Sequence, residues 1–144
     1  MKVLLKKVGC PLEVVDTNKK YFGDCVRSFL GEHITIERVY MGEAFGGANQ
    51  FEFIMGVDED GLPLQLPLNF LMRFNNPFYP IQTIVGDVVF VRCKPCDPYE
   101  KEIWDYEVTD VTDSDKEKIE AILSPLEQKR MAMEFVISQK RGLF

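Results

Sequence analysis

The stretch VVFVRCKPCDPYEKEIWDYEV, residues 88–108, contains the residues with the plainest capacity for chemistry, Cys93 and Cys96. Two thiolates at C-x-x-C spacing supply half of a tetrahedral zinc site, and the other half must come from elsewhere in the chain. The remaining candidates are Cys10, Cys25 and the single histidine, His33. Cys25 falls on the apolar face of an expected helix, where a buried thiol is the ordinary finding. Neither Cys10 nor His33 belongs to a second paired motif. A redox pair would want its first thiol at a helix N-terminus, which lowers its pKa. Pro95 and Pro98 flank Cys96 instead, and no helical pattern follows. The stretch therefore reads as a turn between two strands. Cys93 and Cys96 are expected at a hairpin tip, and they are the candidate ligands if a metal binds. No cofactor is expected.

Other catalytic arrangements find little support. His33 has no G-x-S-x-G elbow or cysteine signature to serve. The loop GEAFGGANQ, residues 42–50, has three glycines but no Lys-Ser/Thr, so it is not a phosphate-binding P-loop. DEDG at 58–61 lacks the closing glutamate of a calcium loop. The net charge of −6 is concentrated: ten acids face three bases between Asp97 and Glu120, a local net of −7. Elsewhere 13 acids meet 14 bases, a net of +1. Such a segment argues against direct nucleic-acid binding, which needs Lys/Arg clusters. It fits a solvated face or a surface for a basic partner.

These residues must be positioned by a chain of 144 residues with 46% apolar content, enough for one domain with its own core. No apolar run approaches the roughly 20 residues that span a bilayer. The start MKVLLKKVGC carries no small-residue cleavage site and reads as a strand. With four cysteines and no export signal, a cytoplasmic location is expected.

KVLLKKV and LEVVD form an expected hairpin, and Asp16 or Thr17 caps a helix running to Leu30, stopped by Gly31. HITIERVYM and FEFIMGV are strands, and DEDG is the turn that follows the second. PLNFLMRF reads as a short helix with Pro67 in its first turn. GDVVFVRC is apolar on both faces and is placed centrally. WDYEVTDV alternates as a half-wet strand. Thr112 or Ser114 caps the helix DSDKEKIEAIL, and SPLE opens the last helix as a capping box that ends near Arg141. The fold class is α+β: a mainly antiparallel sheet of five or six strands, helices packed on one face, and a C-terminal helical pair. Residues 1–123 form the domain; the helix in 124–144 closes its core or pairs with a second copy.

MKVLLKKVGCPLEVVD, GVDEDGLPLQLPLNFLMR, IVGDVVFV and VTDSDKEKIEAIL occur in that order. The series resembles a family of short proteins of unknown function carried by phages and mobile elements of gut-type bacteria. The resemblance covers roughly residues 1–123 and departs at NNPFYP, at CKPCDPYEKEIW and in the final helix. It implies a setting, the cytoplasm of a bacterial host, in which small acidic proteins counter host defences by binding a nuclease, a restriction complex or a signalling nucleotide.

Two functions are carried forward. In the first, a non-catalytic anti-defence protein presents Asp105, Glu107, Asp110, Asp113 and Asp115 to a basic groove on a host protein. Trp104 or Phe45 is the apolar centre of that contact. In the second, a small-ligand binder closes the 42–50 loop over a nucleotide-type ligand held by Asn49, Asn69 and Arg73. Neither is an enzyme. The expected partners are a host protein with a basic surface and, through the last helix, a second copy. No nucleic acid or membrane is expected.

Overall fold

A computed structural model of the chain describes residues 1–42, 52–74, 76–95, 99, 102 and 105–141. Strand β7 (Val88–Cys93) lies at its centre. It pairs on one side with β1 (Lys2–Lys6) and on the other with β4 (Phe53–Asp58). Beyond these lie β2 (Glu13–Asp16) and β3 (Ile36–Tyr40), in the order β2-β1-β7-β4-β3. The short β8 (Val108–Thr109) pairs with Arg92 and Cys93, extending the β1 side of β7. All pairings are antiparallel, so the open six-stranded sheet and the α+β class are as expected.

The sheet is covered on both faces. Helix α1 (Phe22–Leu30) buries Phe22, Cys25 and Val26 against Val3, Ile54, Val89 and Val91. On the opposite face, β5 (Leu68–Arg73) and β6 (Ile81–Val85) form a separate antiparallel hairpin. Phe70, Met72 and Ile84 of this hairpin pack with Met55, Val57, Phe90 and Ile119, the last from α2 (Asp113–Leu123). A third helix, α3 (Pro125–Arg141), lies on the outside of the hairpin over Leu71 and Ile81. The helices therefore do not share one face, because β4 and β7 are apolar on both sides and each side must be dry.

Two further sequence expectations are corrected. The PLNFLMRF run is strand β5 rather than a helix. Phe70 and Met72 face the sheet while Leu71 faces α3, so a doubly buried strand presents the continuous apolar run that also suits a helix. Its partner β6 is a short strand, IQTIV, that directly follows the turn residues NNPFYP. Helix α1 begins at Phe22 rather than near Asp16, with no side-chain cap. Residues 17–21 are instead held extended: the Lys20 carbonyl accepts from Val108 N, and Tyr21 bridges to Glu107.

The segment LPLN, residues 66–69, closes one corner. Asn69 Nδ2 donates to the carbonyls of Lys6 and Gly86, at 2.9 and 2.8 Å, and Asn69 Oδ1 accepts from Lys6 Nζ. Gly86 takes a φ of +73°, which a side chain rarely adopts, and its amide donates to the Pro67 carbonyl.

On the other face α1 sits directly on β4 at Gly56, where a Cβ would lie 2.7 Å from Val26 Cγ2. Gly56→Ala is expected to destabilise the protein by about 1–3 kcal/mol through overpacking. Adding Val26→Ala should recover part of that loss. Urea unfolding of the single and double variants measures both, and additive losses would refute the contact.

Candidate protein-binding surfaces

Arg92 is the one charged side chain of the central strand. Its Nε and Nη2 donate to the Asp115 carboxylate, both at 2.6 Å, and its guanidinium lies 5.3 Å from the centroid of the Phe53 ring. Glu52 stands 3.7 Å away. Asp115 is also the third residue of a capping box: it accepts from Thr112 N while the Thr112 hydroxyl accepts from Asp115 N. Burial alone would push this carboxyl up. The hydrogen bonds from Arg92 and Thr112, with the Arg92 charge, outweigh it and hold Asp115 below the usual carboxylate range. The same bond raises the pKa of Arg92.

Asp115 is thus removed from the acidic face on which it was expected. It is 3% exposed and anchors α2 to the sheet. Glu107 is half-buried between Lys94, at 2.8 Å, and Lys20, at 3.8 Å. Asp110 is exposed but accepts from the Lys2 amide at 2.7 Å. Asp105 and Asp113 are exposed. Trp104 and Phe45 lie outside the described residues. The accessible acids of the expected set are therefore Asp105, Asp110 and Asp113, with Glu107 screened by two lysines.

The ligand-binding set is not assembled either. Asn69 spends its amide on the corner described above. Arg73 binds α3, with Nη1 2.6 Å from Glu134 and Nη2 3.7 Å from Glu127, and the Glu134 bond raises its pKa. Asn49 lies outside the described residues. A cleft of about 360 Å³ exists elsewhere, between β3 and β6, and neither Asn69 nor Arg73 lines it.

Cys93 is buried among Tyr106, Val108 and the α1 residues, whereas Cys96 lies outside the described residues. Cys10 and His33 are exposed, and Cys25 is buried under α1, where burial pushes its thiol up to about 11. Among the described residues no three of the His, Cys, Asp and Glu side chains come together as a metal site.

Sequence reasoning did not find Gln128. Its Oε1 accepts from Leu71 N at 2.8 Å, and its Nε2 donates to the carbonyls of Leu71 and Ile122. It thereby pairs the outer edge of β5 as a strand would. No pattern marks a glutamine for that task. The outer face of α3 is the other feature. Met131 and Phe135 point to the hairpin; Leu126, Met133, Val136 and Ile137, roughly opposite at 3.6 residues per turn, are 69, 61, 52 and 50% exposed. No helix among the described residues is long and apolar enough to cross a membrane. Compared with protein-family models, curated proteins and solved structures, the chain matches none.

Asp115→Asn is expected to lower stability at neutral pH, and Arg92→Ala to cost about 3 kcal/mol by leaving a buried charge unpaired. A depressed carboxyl stabilises above its unfolded pKa of about 3.9 and loses that contribution as pH falls through the folded value. The gap between wild type and Asp115→Asn should then be constant down to about pH 4 and shrink below it, read by urea titrations at each pH. A pH-independent gap would remove the ion pair as its source.

Proposed function

We propose that the protein is a non-catalytic binding protein of a phage or mobile element, acting on a host protein that has a basic surface, such as a nuclease or restriction component. The observation that carries this reading is the outer face of α3. A helix apolar on two opposite faces, only one of which its own domain covers, is a surface built for a second protein. Leu126, Met133, Val136 and Ile137 supply the apolar centre of that contact. Asp105, Asp110 and Asp113 supply charge that speeds encounter with a basic partner more than it adds affinity. The shifted titrations support the same reading. Each resolved shift among the described residues follows from a structural ion pair, as at Lys2–Asp16, Arg73–Glu134 and Arg92–Asp115, or from burial, as at Lys6 and Cys25.

Affinity capture from a bacterial host lysate identifies the partner, and surface plasmon resonance with the purified pair then tests the two surfaces separately. Met133→Glu with Val136→Lys should weaken binding by about a hundredfold, chiefly through faster dissociation. Asp105→Asn with Asp113→Asn should slow association severalfold at low salt and leave dissociation unchanged. Light scattering of the free protein covers the other occupant of the helix face. A wild-type dimer that the α3 double variant splits into monomers would assign that face to a second copy and sink the host-partner reading of it.

A further inference from the structure

The hairpin β5–β6 has two outer edges, and they are treated differently. The Phe74 amide donates to the Pro80 carbonyl directly opposite, so in this antiparallel pair the bonded partners are 74/80, 72/82 and 70/84. Leu71 and Thr83, which face each other between those pairs, must then turn their amides and carbonyls away from the hairpin. On the β5 side Gln128 confirms the parity, since it bonds both outward groups of Leu71. On the β6 side no hydrogen bond among the described residues reaches Thr83.

The space beside that edge is the cleft of about 360 Å³, which runs along Gln82–Val85 of β6 and over β3. Glu37 and Val39 pair with Val57 and Met55, which face the hairpin, so these two β3 residues floor the cleft. An added strand would lie about 4.8 Å from β6 and roughly 10 Å above β3, as in any two-layer sheet packing. The groove is acidic: Glu37 on its floor and Glu59 at its border carry the carboxylates, whereas Arg38 and Asp58 pair with Gly56 and Ile36 and so turn their side chains to the α1 face. Glu37 and Glu59 are exposed and form no ion pair among the described residues.

We propose that the groove between β6 and β3 binds an extended, lysine- or arginine-bearing segment of a partner protein as a third strand of the hairpin sheet. Thr83 supplies the main-chain register, and the side chains that alternate toward the floor meet Val39 and Glu37. Backbone pairing gives such a site affinity, and the carboxylates select a basic segment over an acidic one. The inference rests on the reading of the chain as a protein-binding molecule and uses neither α3 nor Asp105, Asp110 and Asp113.

The probe is a fluorescein-labelled peptide of about ten residues, the reach of a long strand, alternating lysine with valine and threonine. Fluorescence anisotropy measures its binding, and amide hydrogen exchange locates it. Exchange at the Thr83 amide should slow at least tenfold on binding, because that amide gains a partner. The same peptide with glutamate for lysine should bind about tenfold more weakly or worse. Thr83→Pro removes only an outward amide, which an edge position tolerates, and should weaken the lysine peptide about tenfold. Glu37→Lys provides a second variant that keeps the backbone intact, and it should weaken binding comparably. Binding should persist in the Met133→Glu, Val136→Lys protein, so failure of the α3 reading leaves this one standing. Absence of binding, or binding that leaves Thr83 exchange unchanged, would overturn the proposal. So would a Thr83 amide that is protected without peptide in a concentration-dependent manner, since the edge would then pair with a second copy.

Discussion

A strand buried on both faces needs cover on both sides, and β7 imposes that requirement on everything around it. Val88, Val89, Phe90 and Val91 are all within 1% of full burial, two pointing to α1 and two to the hairpin and α2. One layer cannot satisfy such a strand. The molecule accordingly builds a helix on one face and a second small sheet on the other. Gly56 lets α1 come close enough to do the first. The corner around Asn69 and Gly86 turns the chain so that β5 and β6 do the second. The one polar residue that β7 carries inside this arrangement, Arg92, forces a carboxylate into the same layer, and Asp115 is where α2 supplies it.

The outermost layer, α3, is placed by directional polar bonds as well as by apolar burial. α3 touches the domain through Met131 and Phe135, but its position is set by Gln128 on the β5 edge and by Arg73 between Glu127 and Glu134. Directional bonds of this kind fix register while leaving the opposite face of the helix apolar and open. Edge strands are a liability unless covered, and β5 is covered by a side chain where β6, among the described residues, is not. The asymmetry comes from topology: α3 follows α2 and lies over the hairpin on the β5 side. The β6 side faces the exposed strand β3 across a groove.

Charge takes a different part from the one its density implies. Ten acids in a short segment suggest a continuous negative face, yet the fold sorts them one by one. Asp115 is internal, Glu107 is neutralised by lysines from two other segments, and Asp110 ties the start of β1 to the chain before α2. Of the acids expected to meet a partner, Asp105, Asp110 and Asp113 stay outward, with Glu102, Glu117 and Glu120 exposed elsewhere in the segment, while Glu37 and Glu59, unremarkable in the sequence, border a groove.

Much of the molecule is legible in its amino-acid sequence. The central placement of GDVVFVRC followed from its unbroken apolar character, the cap at Thr112 (one of two candidates with Ser114) and the start at Ser124 from local chemistry, and the α+β class from the alternation of periods. These depend on contacts within a few residues, which spacing encodes directly. The LPLNFLMR strand, the two-sided cover and the fates of Asp115, Asn69 and Arg73 were not legible. Each depends on a partner far along the chain: Asn69 on Lys6 and Gly86, Asp115 on Arg92, Leu71 on Gln128. A residue type states what bonds a side chain can make, and the sequence by itself determined that inventory together with the local elements. Only the tertiary structure decided which bonds are spent inside and which groups remain outside. That choice is made by long-range pairing of strands, and no local pattern in the chain records it.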